Sequence, residues 1–293
     1  MRQTGRVGAE DPFKSAIDPG ASAGPAAPVL APLATSVILV ASGKGGVGKS
    51  TISLNLALAL VEGGATVGLL DADVYAPDIP LMVNLTRKVH RDQWPMYTNP
   101  RLHAARFEPV EAFGLKVMSV GFMIGEDQSL SFPASSVQLV LNQLAQQVRW
   151  GELDYLIVDL PPGTADVQQH LVFLLRPTGA LIVVGSQDAA HLDAKKVVSM
   201  FREHGVPVLG GVENMHSLQC PHCRREVEIF PRVRSSRSIW SAGVVQLAEL
   251  PFEPQLAEAA ERGRPLLIAA PQSAQAQRFR ELAERVAARC ASS

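Results

Sequence analysis

Cysteine is scarce in this 293-residue chain: there are three, Cys220, Cys223 and Cys290. Three thiols make no disulfide framework of the kind that staples small secreted domains. Aromatic residues amount to 5% and charged ones to 19%, the latter below the roughly 25% of an average domain. Neither sign of charge prevails, since 27 Lys and Arg face 28 Asp and Glu for a formal net charge of -1. That balance supplies no bulk field to hold nucleic acid or an anionic membrane, so either partner would need a local patch. Long apolar runs are missing too. The longest, such as Ala180 to Val184 and Leu266 to Ala270, fall far short of the roughly 18–20 residues of a membrane span and fit buried strands. A transmembrane protein is excluded on this reading. No continuous apolar segment follows the early arginines as a secretory signal requires, and the expected compartment is cytoplasmic.

Residues 1–34 have a composition of their own. Of the 17 residues from Asp18 to Ala34, 12 are Gly, Ala or Pro. These bury too little side chain to offset the cost of ordering, so a flexible tail is expected over 1–34 and the folded domain over 35–293. From Ser36 onward short Val/Ile/Leu runs without alternation give strand candidates at Val37–Ala41, Thr66–Leu70, Leu115–Val120, Tyr155–Val158, Ala180–Val184, Val206–Val212 and Val244–Leu250. Such runs are buried on both faces, as in a parallel sheet. Amphipathic stretches between them predict helices at Lys49–Glu62, Ser135–Trp150, Val167–Leu175, Ala189–His204, Gln255–Arg262 and Ser273–Ala288. Repeated βα units imply an α/β fold, a doubly wound, mostly parallel β-sheet flanked by helices. The stretch from Leu85 to Pro109, with Trp94-Pro95 and Asn99-Pro100, breaks this rhythm and reads as a surface excursion.

Between the first strand and the first helix stands Gly43-Lys44-Gly45-Gly46-Val47-Gly48-Lys49-Ser50-Thr51, the P-loop spacing G-x-x-x-x-G-K-[ST] in its required context. Glycines let successive backbone N–H groups turn onto phosphates, the helix N-terminus adds positive potential, and Lys49 reaches the β and γ oxygens. Ser50 is then placed to ligate Mg²⁺. A glycine-rich turn without a ligand leaves the Lys-Ser pair and the extra lysine unexplained, so the whole loop is assigned to ATP. Two carboxylate clusters follow: Asp71 and Asp73 at the end of one strand, and Asp159 before Pro161-Pro162-Gly163-Thr164 at the end of another. Carboxylates there face the crevice where such sheets bind ligands. Asp159 reads as the acid that orients Mg²⁺ water, Asp71 as support for the metal, and Asp73 as the group positioning the attacking water. Pro162-Gly163 reads as a switch that senses the γ-phosphate.

Lys44 makes this the deviant P-loop Lys-Gly-Gly-x-Gly-Lys-[Ser/Thr], and here the chain resembles the SIMIBI class of NTPases, which includes MinD, ParA and the nitrogenase iron protein. The resemblance implies that Lys44 crosses a homodimer interface to the other subunit's nucleotide. A cation arriving there would neutralise charge developing in phosphoryl transfer, which completes a catalytic set of Lys44, Lys49 and Asp73.

Cys220-Pro221-His222-Cys223 comes shortly after Val212-Glu213-Asn214-Met215. Two thiolates at this spacing supply half of a four-ligand site. His216 and His222 could complete a mononuclear zinc site within the chain. A second chain across a two-fold axis would instead give Cys₄, suited to one shared [4Fe–4S] cluster.

Together these motifs resemble the Mrp (ApbC-like) iron–sulfur cluster carrier family from Val37 to Ala288. Leu70-Asp71-Ala72-Asp73-Val74-Tyr75 and Gly151-Glu152-Leu153-Asp154-Tyr155 take part, and Glu213-Asn214-Met215 followed by the cysteine pair is the family-specific portion. The resemblance implies an ATPase homodimer that holds a labile [4Fe–4S] cluster on Cys220 and Cys223. The cluster would pass from a donor to apo-protein clients, and Asn214 would contact the adenine. No membrane partner is expected, and nucleic acid is disfavoured.

The chain also departs from the family pattern. Ala76-Pro77-Asp78 replaces Gly-Pro-Ser, Ala165-Asp166 replaces Gly-Asp, and Ser131-Phe132-Pro133-Ala134 replaces Trp-Arg-Gly-Pro. The first two changes touch switch segments and bear on the rate of hydrolysis. Arg224, Arg225, Arg232, Arg234 and Arg237 stand where a glycine-rich stretch is usual, either as a solvated face or as a patch for an acidic partner. The competing function is a MinD/ParA-like dimerisation switch on membrane, DNA or protein, with zinc or no metal at the cysteines. For it, Phe279, Leu282, Ala283, Val286 and Ala287 have helical spacing, but such a stripe more often packs on the core than lies in lipid.

Overall fold

The computed structural model describes residues 32–85, 107–122, 134–163, 166–220, 222–223 and 225–292. Most of the expected tail, the middle of the 85–109 excursion, Ser131-Phe132-Pro133 and Thr164-Ala165 therefore lie outside the described residues.

Each of the seven apolar runs expected as a strand forms one. The strands are β1 (Ser36–Ser42), β2 (Val67–Asp71), β3 (Val110–Ala112), β4 (Leu115–Ser119), β5 (Tyr155–Asp159), β6 (Gly179–Gly185), β7 (Val208–Gln219), β8 (Glu226–Glu228) and β9 (Gln246–Phe252). They join in one sheet of order β3-β4-β2-β5-β1-β6-β7-β8, with β9 also paired to β7. Pairing is parallel except for β3 on β4 and β8 on β7. The helices are α1 (Lys49–Glu62), α2 (Ile79–Met82), α3 (Ala134–Gln146), α4 (Asp166–Leu175), α5 (Asp188–Glu203), α6 (Pro254–Glu261), α7 (Leu266–Ala269) and α8 (Ala274–Ala291).

Side chains on a strand alternate between faces, and here each face has its own core. Ile38 and Val40 of β1 join α1, α7 and α8 on one side; Leu39 and Ala41 join α3, α4 and α5 on the other. Burial on both sides explains why the central strands read as unbroken apolar runs. The stripe Phe279, Leu282, Ala283 and Val286 is buried in the α1 core, so that face of α8 is packing surface.

Three expectations need correction. Leu266 to Ala270 is not a buried strand: Leu266–Ala269 is the short helix α7. The Ile268 and Ala269 N–H groups both donate to the Pro265 carbonyl, which starts a helical turn. A short apolar run gives no period by which to tell the two apart. The third helix stops at Gln146 rather than Trp150, because Val148 bridges Phe107 and the Phe107 N–H bonds the Gln147 carbonyl at 2.8 Å. β7 runs on to Gln219 instead of ending at Val212.

The arginine-rich stretch is largely tied to the chain itself. Arg234 and Arg237 both meet Asp188 of α5, at 3.0 and 2.8 Å, and Arg232 meets Glu228 at 2.7 Å.

Candidate nucleotide and cysteine sites

The P-loop leaves β1 at Ser42 and enters α1 at Lys49. The N-terminus of α1 has no side-chain cap and no acid in its first turn, so its first N–H groups point unclaimed by side chains at the position an anion would take. Gly48 has φ 83°, and a Cβ there would collide with the Asn214 side chain; only glycine suits both demands. Gly43 is equally constrained, since a Cβ would meet the Asp193 and Ala194 backbone of α5. The loop after β5 is fastened to the base of the P-loop by the Gly163 N–H on the Ser42 carbonyl at 2.9 Å.

Asp159 is the hub. Lys49 Nζ lies 2.9 Å from its Oδ2, the Ser50 hydroxyl donates to Oδ2 at 2.6 Å, and the Ser53 hydroxyl donates to Oδ1 at 2.6 Å. Charge-assisted bonds of this length are the strong ones. The parallel register sets Asp71 beside Asp159 and beside Ser119, and Ser119 donates to Asp71 at 2.8 Å. Burial first, and the neighbouring Asp159 second, push the Asp71 carboxyl well above the usual carboxylate range. Asp73 is raised by burial against the opposing pull of Lys49, and it accepts from the Ala76 N–H at 3.3 Å.

The structure therefore brings Lys49, Ser50 and Asp159 into direct contact, with Asp71 adjoining through the sheet and Asp73 beyond it. Asn214 donates from Nδ2 to the Val47 carbonyl at 2.9 Å. Next to it lies a cavity of about 80 Å³, lined by Thr51, Asn214, Met215, Phe252 and Phe279 among others. Lys44 projects from the loop with its Nζ 3.5 Å from Asp193 Oδ2. Sequence reasoning missed Ser53, Ser119 and Asp193. Ser53 was accessible to it, because a residue four after Lys49 shares its helix face; the other two are set by pairing and packing that no local pattern announces.

The cysteine pair sits at the tip of the β7–β8 hairpin, whose register pairs Gln219 with Glu226 and whose Cys220 N–H bonds the Arg225 carbonyl at 2.8 Å. Cys220 is half-buried and Cys223 exposed. The backbone N–H groups of Cys223 and His222 on the Cys220 sulfur hold that thiol below the usual cysteine range. His216 does not turn to the thiols: its Nε2 lies 3.1 Å from Glu226 and 3.4 Å from Glu249. Among the described residues no group of three or more His, Cys, Asp or Glu is placed to hold a metal ion, so the local Cys₂His₂ arrangement is not assembled. Cys290 lies apart on α8, beside Ser36, where burial raises its thiol.

A parallel sheet with a P-loop after its central strand and acids at neighbouring strand ends defines a P-loop NTPase of the MinD/ParA type. Solved structures agree. A nucleotide-binding protein from Archaeoglobus fulgidus in complex with ADP has a TM-score of 0.66 at 30% identity, over 84% of this chain and 93% of that one. MinD from Pyrococcus horikoshii OT3, complexed with Mg-ADP, shares the fold with a TM-score of 0.60 at 22% identity, over 86% and 95%.

The family described as "ParA: NUBPL iron-transfer P-loop NTPase" matches residues 34–287, and this chain belongs to it. It is 41% identical over 250 residues to the iron-sulfur cluster carrier protein of Aquifex aeolicus, covering 85% of this chain and 66% of that protein. Against the carrier of Pseudomonas fragi the identity is 42% over 252 residues, covering 85% and 84%. Against the iron-sulfur cluster transfer protein NUBPL of Mus musculus it is 40% over 260 residues, covering 88% and 78%. The chain thus spans just under two thirds of the Aquifex relative. Among the described residues no helix is long and apolar enough to cross a membrane.

Proposed function

We propose that this protein is an ATP-hydrolysing carrier that holds a [4Fe–4S] cluster as cargo between two copies of the chain and passes it to apo-proteins in the cytoplasm. The observation that carries the reading is the hairpin tip with two thiols, around which no further ligand is gathered among the described residues. A cluster needs four ligands, and a two-fold axis doubles two thiolates into four. β7 also links the two sites: Asn214 touches the P-loop backbone, and five residues on, the same strand ends at the cysteine hairpin.

Ser50 and Asp159 are hard oxygen donors of the kind Mg²⁺ takes, with Asp71 behind them, so the residues fit that ion. When bound, Mg²⁺ would be held by Ser50 and Asp159 and would supply positive charge to offset that of the phosphates. In this reading Lys49 leaves Asp159 for the β and γ phosphate oxygens, Asp73 positions the attacking water, and Lys44 leaves Asp193 for the nucleotide of the other subunit. Asn214 would sit at the adenine.

Anaerobic reconstitution with iron and sulfide tests the proposal. About four irons per dimer, lost in the Cys220→Ser/Cys223→Ser variant, is the expected result. Zinc alone, or no metal in either protein, would overturn it and favour a MinD/ParA-like switch that works through contacts alone.

A further inference from the structure

A second polar cavity, of about 580 Å³, opens at the base of the cysteine hairpin. Its wall carries Glu213, Glu226, Glu228 and Glu249, with Arg232 the one arginine among the described residues, and that arginine is already paired to Glu228 at 2.7 Å. Acidic lining by itself identifies nothing, but one buried group in its wall is unsatisfied, and so is a second that lies behind Glu213. Ser186, just past the end of β6, lines the cavity at 5% exposure, and its hydroxyl has no hydrogen-bond partner among the described residues. His191 accepts the Ile239 N–H on Nδ1 at 3.2 Å, which leaves its proton on Nε2. That Nε2 has no bond and faces Glu213 at 3.9 Å, beyond hydrogen-bond reach. Among the described residues Glu213 itself has only the Gln246 amide as a hydrogen-bond donor, at 3.3 Å. An acceptor carboxylate and a free hydroxyl converge on a space where, among the described residues, Arg232 is held by Glu228 and His216 by Glu226 and Glu249.

Beside this cavity β8 ends the sheet order, pairing with β7. Val227 on it is 52% exposed and the adjoining Ile229 38%. An exposed edge takes up extended peptides through main-chain bonds, and adjacent pockets choose the side chain.

We propose that this cavity seats the guanidinium of an arginine on an extended polypeptide that docks along β8. The planar donor fork would engage Glu213 and the Ser186 hydroxyl, and Trp240, which lines the cavity, offers a face for it to stack on. Glu226 stands three residues from Cys223, a reach of at most about 10 Å, so a segment held here is close to the thiols. That the polypeptide is a cluster client rests on the carrier reading; the binding itself does not.

The test is fluorescence anisotropy of the full chain with a labelled nonapeptide of serine, threonine and valine around one central arginine, against the same peptide with citrulline. The arginine peptide should bind at least about tenfold more tightly, as removal of a buried charge partner implies. Glu213→Gln should erase that preference. Glu249→Gln, at a less enclosed carboxylate, should reduce it, which keeps the test decisive if Glu213→Gln folds poorly by circular dichroism. Cys220→Ser/Cys223→Ser should bind as the parent does, so failure of the carrier reading and failure of this proposal are read separately. Equal binding of the two peptides, an undiminished preference in Glu213→Gln, or binding of free spermidine without either peptide would overturn it.

Discussion

Asp159 shows how much one side chain carries. It anchors a lysine and two serines, and Lys49 is 7% exposed with no other carboxylate bonded to it among the described residues. Removing one partner of a buried pair leaves the other charge uncompensated, at a cost of about 3–5 kcal/mol. Asp159→Asn should therefore lower the unfolding free energy measured in urea by that margin as well as abolish Mg²⁺-dependent nucleotide binding. Loss of binding at unchanged stability would mean that Lys49 finds another partner. Gly48→Ala is a different kind of lesion. It forces a left-handed residue, at about 1–2 kcal/mol, and drives a methyl group into Asn214. ADP affinity measured by calorimetry should collapse, with a smaller loss of stability. At this scale the sequence was most informative where chemistry demands a fixed spacing: Gly43 to Thr51 and Asp159 were legible from it. Ser119 and Asp193 were not, since their places depend on which strand lies beside β2 and which helix crosses Gly43.

Elements were legible in proportion to how completely they are buried. β1, β5 and β6, covered on both faces, leave continuous apolar runs that only a parallel sheet explains. β7 past Met215 is mostly polar, since its pairing with β6 ends at Asn214 and it goes on to the hairpin, and its pattern gave no sign of a strand there. β3 and β8, three residues each, are too short for any period, and α7 was misread because four apolar residues suit either element. The seam between α5, β7 and the segment around Trp240 includes one buried ring beside the Arg234 and Arg237 pairs to Asp188. His191 is fully buried, edge-on to Trp240 at 5.7 Å. Burial is the main cause that lowers its pKa to about 4; Asp188 pulls the other way and Lys195 adds to the fall. The unfolded chain takes up that proton near pH 6.5 and the folded one only near 4. The seam's contribution is thus complete above pH 6.5 and is lost as the pH falls through this window. Between pH 7 and 4.5 that amounts to about 2–3 kcal/mol. Urea unfolding at the two pH values should show it, and His191→Gln should flatten the difference by that amount.

For the whole molecule, β7 carries both Asn214, which touches the P-loop backbone, and the cysteine hairpin, and under the carrier proposal each chain supplies only part of both sites. Two thiols are half a cluster's ligands, and Lys44 rests on Asp193 at the surface of its own subunit. A partly exposed pair of this kind is worth about 0–1 kcal/mol, so a nucleotide across the interface can draw Lys44 away at little cost. Lys44→Ala should therefore leave the melting temperature almost unchanged while removing ATP-dependent association. Sedimentation velocity of the cluster-free protein with Mg²⁺ and a non-hydrolysable ATP analogue should give dimers for the parent and monomers for the variant, with ATP turnover lost in parallel. Cluster loading should restore a dimer in the Lys44→Ala variant, because four thiolates hold the two chains together without help from the lysine. A variant that dimerises and turns over ATP as the parent does would remove Lys44 from the interface and leave the Asp193 contact as its whole role.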